Sequence, residues 1–168
     1  MSYKVGEKVV YPNHGVTVVE MIGDSDFAGA NNTYLHLRLL SNNSRLMVPV
    51  GNSERVGLRP LYRHNQIKSL FSLLEERPAH ASRDWKDRYR DNLEKMKSGR
   101  LEDVADVLKN LTQVSKRKSL SFREKKMYER AKHLLVSEIA VVKGIEEKEA
   151  EALIEKSLDK SLSALTGH

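Results

Sequence analysis

The chain has 168 residues, of which 39% are hydrophobic and 31% are charged, as in a folded protein with one ordinary domain or two small ones. It contains no cysteine, which excludes disulfides, thiolate metal sites and cysteine nucleophiles. The formal net charge of +6 favours an anionic partner, although charge alone does not identify one.

The first 60 residues are built from short β-type runs separated by turn residues. Residues 33–39 alternate polar and leucine side chains, the period of a strand with one buried face. The predicted strands cover residues 8–12, 16–22, 33–39 and 45–50, with a fifth near 56–58. Turn regions lie at residues 13–15, 23–32 and 41–44. Strands this short and numerous predict a small closed β-barrel, which hides its edges.

After residue 60 the apolar period becomes helical, and five helices are predicted. Their apolar stripes cover residues 67–74, 85–96, 101–111, 127–142 and 150–162. Ser82 is expected to cap the second helix, and Ser121 with Glu124 forms a capping box for the fourth. Gly99 and Gly144 are the expected stops of those helices. The sequence therefore predicts an α+β chain of two domains, a β-barrel over residues 1–60 and an all-α domain over 61–168.

Positive charge is concentrated in one part of the helical half. Residues 116–132 contain 8 basic and 2 acidic residues, whereas the tail from residue 144 contains 3 basic and 6 acidic residues. The net charges of these segments are +6 and −3. A local excess of this kind indicates an anion-facing surface more strongly than the total charge does.

Trp85, the only tryptophan, lies in the basic segment Asp84-Trp85-Lys86-Asp87-Arg88-Tyr89-Arg90. Two interpretations are open. Its spacing to Tyr89, Leu93 and Met96 continues an apolar helical stripe, which favours a core position. Its place near the helix start, among cations, instead suits a ring that wedges against a partly unstacked DNA step while the cations hold phosphates.

A second cluster of cations occupies the start of the fourth helix. Arg123, Lys125, Lys126, Arg130 and Lys132 are its members. One interpretation is a solvated helix face whose charges pair with neighbouring glutamates. The other is a diffuse contact with a nucleic-acid backbone, which positions a protein without reading sequence.

The strand over residues 45–50 offers a third candidate surface. If Leu46 and Val48 face the core, then Arg45, Met47 and Pro49 point outward. An exposed methionine beside a proline suits an adaptable contact with a partner protein.

Enzymatic motifs were not found in the sequence. The six histidines show no metal-ligand spacing, and the glycines occupy turn positions without forming a phosphate loop. We therefore expect no catalytic residues, no metal and no cofactor. The chain begins without an apolar targeting segment, and no run approaches the roughly 20 apolar residues that span a bilayer. We expect a cytoplasmic protein without membrane association.

Taken in order, several stretches resemble the CarD family (CarD/CdnL) of bacterial RNA polymerase-binding regulators. In the first half these are Lys4-Val5-Gly6, Val9-Val10-Tyr11-Pro12-Asn13-His14-Gly15, Met47-Val48-Pro49 and Arg55-Val56-Gly57-Leu58-Arg59. In the second half they are Trp85-Lys86-Asp87-Arg88-Tyr89-Arg90, the helix end from Glu94-Lys95 to Ser98-Gly99, Leu120-Ser121 and Glu124-Lys125-Lys126-Met127. The likeness covers nearly the whole chain.

The resemblance implies a Tudor-like (SH3-like) N-terminal barrel that binds the polymerase β subunit, and a helical domain that binds promoter DNA. It implies that Trp85 acts as a wedge at the upstream edge of the transcription bubble and stabilises the open complex. The DNA-binding residues expected are Trp85, Lys86, Arg88, Arg90, Arg123, Lys125, Lys126 and Arg130. The polymerase-binding residues expected are Arg45, Met47 and Pro49.

Three positions depart from relatives in the family. Asp87 stands where some relatives carry an arginine, and Ser25 and Met47 replace arginines that contact polymerase in certain members. We expect a non-enzymatic transcription regulator, a monomer that binds promoter DNA largely independently of sequence and joins the nucleoid through polymerase. The alternatives are an RNA-binding or ribosome-associated module and a pure protein adaptor without nucleic-acid affinity.

Overall fold

The computed structural model describes residues 2–24, 33–78 and 84–164. The chain divides into two compact units, residues 1–61 and 62–168. The first unit contains an antiparallel five-stranded sheet, and the second contains five α-helices. The predicted fold class, a small β domain followed by an all-α domain, is confirmed.

The five strands of the first unit pair in the order β4-β3-β2-β1-β5, so that β4 and β5 are the ends of the hydrogen-bonded sheet. They are β1 (Lys8–Tyr11), β2 (Gly15–Asp24), β3 (Thr33–Leu39), β4 (Arg45–Pro49) and β5 (Arg59–Pro60). The predicted turn region at residues 23–32 begins later than expected because β2 continues through Asp24. The rest of that region, residues 25–32, lies outside the described residues.

The fifth strand was predicted near residues 56–58, but it lies just after them, at Arg59–Pro60. Val50–Asn52 forms a 3-10 turn, and the backbone amides of Val56, Gly57 and Leu58 donate to carbonyls within residues 52–54. Gly57 has a φ of +82°, a conformation that suits a tight turn and not a strand. Pairing with β1 therefore begins only at Arg59.

The core of the sheet consists of side chains from one face of the strands. Leu35, Leu37 and Leu39 are buried, whereas the residues between them are half-buried, which confirms the alternation read from the sequence. The buried cluster comprises Val9, Val19, Leu35, Leu37, Val48 and Leu58. The opposite face of β2, β3 and β4 does not belong to this cluster and carries exposed side chains such as Met21 and Met47.

The five helices of the second unit are α1 (His64–Glu75), α2 (Trp85–Lys97), α3 (Leu101–Ser115), α4 (Phe122–Lys143) and α5 (Glu147–Ser163). The predicted cap of α4 is confirmed, because the Glu124 amide donates to Ser121 Oγ at 3.2 Å. Gly99 and Gly144 follow α2 and α4 with φ of +76° and +67°, as expected of helix stops. Asp84 caps α2 instead of the predicted Ser82, which lies outside the described residues.

Leucine, isoleucine and valine side chains from α1, α3, α4 and α5 form the core of the helical unit. α2 contributes much less to it, since its only buried hydrophobic residue is Met96. Lys132 of α4 donates to Glu151 and Glu155 of α5 at 2.6 and 3.2 Å. These contacts join α4 to α5, and the hydrogen bonds to Glu151 and Glu155 raise the pKa of Lys132.

Candidate functional site

The orientation of α2 is set by a buried ion pair with α4. Arg88 Nε and Nη2 donate to Glu124 Oε2 and Oε1 at 2.6 and 2.9 Å. The Arg88 and Glu124 side chains are only 3% and 2% exposed. Both residues belong to the first turns of their helices, so the pair fastens the start of α2 to the start of α4.

Glu124 is ionised in this pair at neutral pH. Burial by itself would raise the pKa of Glu124, but the hydrogen bonds and charge of Arg88, helped by Ser121, hold that pKa below its usual value. A guanidinium that is only 3% exposed and paired in this way is not accessible to a ligand phosphate. Arg88 was expected to contact DNA, and its burial against Glu124 argues against that role and for a structural one.

The first three members of the apolar stripe of α2, Trp85, Tyr89 and Leu93, lie off the buried face of the helix, whereas Met96 is buried. The buried residues of α2 are Arg88, Asn92 and Met96, at i, i+4 and i+8, and Asn92 donates to Asn110 of α3 at 2.9 Å. The face of α2 next to these buried residues is therefore not fully covered by the core. Trp85 at its start is 41% exposed and Leu93 is 37% exposed, while Tyr89 is partly buried. Of the two interpretations of Trp85, a sealed core position does not fit.

Trp85 is the first residue of α2, and its side chain is exposed. Asp84 immediately before it accepts the amide of Lys86 at 3.0 Å and so fixes the first turn. Lys86 and Arg90 of the same helix are also exposed. Arg90, 70% exposed, pairs with Asp87 at 3.0 Å, an exposed contact that is easily exchanged for a phosphate.

Three cations of α4 lie in one row. Arg123, Lys126 and Arg130 are spaced i, i+3 and i+7, which places them on one face of the helix, and all three are exposed. We call them the α4 basic stripe. Lys125 is exposed on a different face of α4.

Trp85 and the α4 basic stripe lie on the same side of the helical unit. Tyr89 follows Trp85 by one turn, and the guanidinium of Arg123 lies 5.9 Å from the centre of the Tyr89 ring. An exposed indole is thus carried beside a row of exposed cations, an arrangement suited to a polyanion with flat apolar groups.

Sequence reasoning missed a second exposed aromatic side chain. Phe122, the first residue of α4, is 71% exposed, and the ammonium of Lys126 lies 4.6 Å from the centre of its ring. The signal was present in the sequence. Phe122 precedes the buried positions Glu124 and Met127 by two and five residues, so it is out of phase with the core-facing stripe.

The sheet of the first unit carries a separate candidate surface on the face opposite its core. Cross-strand pairing aligns Met21, His36 and Met47 in one row and sets Tyr34 beside Pro49. We call these five residues the outer sheet face. Met21 and Met47 are 50% and 43% exposed, and β4 is an end strand of the sheet.

The outward direction of Arg45, Met47 and Pro49 matches the alternation expected from the sequence. Arg45 is 80% exposed and approaches Glu20, which also pairs with Arg38. Met21 is exposed next to Glu20 because the register shifts between Val19 and Met21, a bulge that sends two successive side chains outward. The polymerase-contact position Ser25 lies outside the described residues.

His36 adds a polar group to this apolar row. Its Nε2 atom is buried and has no hydrogen-bond partner among the described residues.

Among the described residues no cluster of three or more histidine, aspartate or glutamate side chains is placed to hold a metal ion. None of the described helices combines the length and apolar character that crossing a membrane requires.

Comparison with known proteins identifies both units. Residues 3–62 match the CarD-like/TRCF RID domain, and residues 69–155 match the C-terminal domain of CarD. The chain is also similar to a Bacillus subtilis (strain 168) protein named "Putative transcription factor YdeB", with 31% identity over 147 residues that cover 88% of this chain and 96% of that protein. Two domain matches in the expected order and a relative of nearly the same extent show that this chain belongs to the CarD family of transcription factors.

Proposed function

We propose that the chain is a non-enzymatic transcription regulator that binds the β subunit of RNA polymerase through its sheet and promoter DNA through its helices. In this proposal it acts as a monomer in the cytoplasm, at the nucleoid, and stabilises the open promoter complex. The observation that carries the proposal is the exposure of Trp85 at the start of α2, beside exposed cations.

The proposed DNA contact divides its work between two kinds of side chain. The α4 basic stripe, with Lys86, Lys125 and Arg90, attracts phosphates and sets the position of the protein on the duplex. The Trp85 indole packs against the unstacked base step at the upstream edge of the bubble. Unstacking such a step in duplex DNA costs roughly a few kcal/mol, and the cost is smaller when the bubble is already melted. No base-reading array is proposed, so sequence preference is expected to be weak.

Stabilisation of the open complex follows from differential affinity. A protein shifts an equilibrium between closed and open promoter only by binding one state more tightly than the other. An indole that finds an unstacked step only in the melted DNA provides such a difference. Each factor of ten in relative affinity corresponds to about 1.4 kcal/mol and shifts the populations by the same factor.

The proposed polymerase contact is the outer sheet face. Its exposed thioethers are flexible and polarisable, which suits a protein surface of irregular shape. Met47 stands where some relatives carry an arginine, so we propose an apolar contact in place of an ionic one. The three expected residues Arg45, Met47 and Pro49 lie on the end strand β4, and we add Met21 and His36 from the neighbouring strands.

The test of the DNA contact is the lifetime of a promoter open complex after competitor challenge. Wild-type protein is expected to lengthen that lifetime, and Trp85→Ala is expected to return it to the value without added protein. Leu153→Ala is the matched control, since Leu153 is an exposed hydrophobic residue of the acidic helix α5, 38% exposed. Equal lifetimes with wild type and Trp85→Ala would contradict the proposal.

The test of the polymerase contact is a pull-down of the purified polymerase with the full chain. Met47→Ala and Met21→Ala are expected to weaken recovery, whereas Trp85→Ala is expected to leave it unchanged. Recovery of ribosomal RNA without polymerase would instead favour an RNA-binding or ribosome-associated role.

A further inference from the structure

Phe122 is the most exposed large hydrophobic side chain among the described residues, at 71%. A phenyl ring left in water at the first position of a helix contributes little to the fold, because the core-facing residues of α4 begin with Glu124 and Met127. Its exposure is therefore unexplained by the packing of the helical unit.

The position of Phe122 relative to Trp85 is fixed by contacts already described. The Arg88–Glu124 pair joins the first turns of α2 and α4, and Trp85 and Phe122 are the first residues of those same helices. Two exposed aromatic rings are thereby held at neighbouring helix starts by a buried, doubly hydrogen-bonded pair.

The surroundings of Phe122 are cationic. Lys126 covers one side of the ring at 4.6 Å, and Lys126 belongs to the α4 basic stripe together with Arg123 and Arg130. The preceding loop adds exposed side chains at Lys116 and Lys118. An apolar ring within a strongly positive surface matches a ligand that is itself apolar in the middle and anionic at its edges. The sugar and base faces of DNA between its phosphates have that chemistry.

We propose that Phe122 is a second DNA-contacting aromatic residue, which packs against the nucleotide faces of the promoter beside the step occupied by Trp85 while the α4 basic stripe holds the flanking phosphates. This inference rests on the proposed DNA-binding function of the helical unit. It adds a contact to that function, so that α4 supplies a ring as well as charges.

The experiment measures binding of the full chain to a labelled fork-junction DNA by fluorescence anisotropy at low salt, without polymerase. Phe122→Ala is expected to weaken binding at least about fivefold, the lower end of what aromatic–base stacking contributes. Phe122→Leu is expected to fall between wild type and Phe122→Ala, because leucine keeps apolar area without a flat face. Leu153→Ala is the control for loss of an exposed apolar side chain and is expected to bind like wild type.

A second variant reports on the contact directly. In Trp85→Phe with Phe122→Trp the only indole stands at position 122, and its emission is expected to become protected from acrylamide when the fork DNA binds.

The outcomes separate this inference from the function on which it rests. If Phe122→Ala binds like wild type while Trp85→Ala binds more weakly, or if the indole at position 122 stays equally quenchable with DNA, the inference is overturned and the proposed function stands. If Phe122→Ala weakens binding and Trp85→Ala does not, the inference is supported and the proposed role of Trp85 is overturned. If no variant and no added salt changes binding, both are overturned.

Discussion

Replacement of Arg88 by alanine is the perturbation whose effect follows most directly from the geometry. The substitution leaves the Glu124 carboxylate, 2% exposed, without its ionic partner. Breaking a buried pair by removing one member costs about 3–5 kcal/mol, because a buried charge stays uncompensated. Arg88→Ala is therefore expected to destabilise the helical unit by that amount.

The change in melting temperature can be estimated from the size of the unit. Residues 62–168 form one compact unit, and an unfolding entropy of roughly 2.1 cal/mol/K per residue gives about 0.22 kcal/mol/K for it. A loss of 3–5 kcal/mol then lowers the melting temperature by roughly 13–22 °C. The assay is thermal unfolding followed by circular dichroism at 222 nm, which reports on the helices.

Two matched variants control this experiment. Arg90→Ala removes an exposed cation from the same helix, where a surface pair contributes about 0–1 kcal/mol, and should lower the melting temperature by at most about 4.5 °C. Arg88→Met combined with Glu124→Leu removes both charges and should recover most of the lost stability. A melting temperature of Arg88→Ala no lower than that of Arg90→Ala would refute the reasoning.

Three further predictions concern stability and DNA binding. Trp85→Ala should destabilise the helical unit by at most about 2 kcal/mol in denaturant unfolding, well under the 3–5 kcal/mol of a sealed aromatic, and a larger loss would place the ring in the core. Because the folded-state pKa of Glu124 is lowered from 4.5, its contribution to stability is present above that value and disappears as pH falls through the folded pKa. Melts at pH 7 and pH 3 should therefore differ more for wild type than for Arg88→Met combined with Glu124→Leu, and equal differences would count against this assignment. Lys126→Ala should reduce the slope of log binding constant against log salt by about 1, whereas Lys132→Ala, whose cation is held by two glutamates, should leave the slope unchanged.

Hydrophobic periodicity and helix-capping residues were sufficient to predict most strands and helices from the sequence, with small errors at their ends. The capping box at Ser121 and the stops at Gly99 and Gly144 were correct because those motifs are local. The fifth strand was misplaced because a turn centred on Gly57 uses amides that a strand would have offered to β1. The short sequence of residues 56–58 does not reveal this competition between turn and strand.

The candidate site was only partly predictable, because the role of a cation depends on what lies opposite. Arg88 and Arg90 look alike in the sequence, but Arg88 meets Glu124 from a helix 36 residues away and Arg90 faces outward. The spacing of Trp85 within the apolar stripe favoured a core position. In the structure the buried face of the first turn of α2 is occupied by Arg88, paired with Glu124, and Trp85 is exposed. Phe122 could have been found from its phase, since a large aromatic outside the buried stripe is uncommon.

The central claim is that the Trp85 indole is exposed to solvent in the free protein and packs against DNA in the complex. Because the chain has a single tryptophan, its fluorescence reports on Trp85 alone. The decisive measurement is acrylamide quenching of that emission at constant low salt, with and without a fork-junction promoter fragment. We expect ready quenching of the free protein and clear protection when DNA is bound. An indole that resists acrylamide in the free protein, and whose emission does not respond to the fragment, would contradict the account.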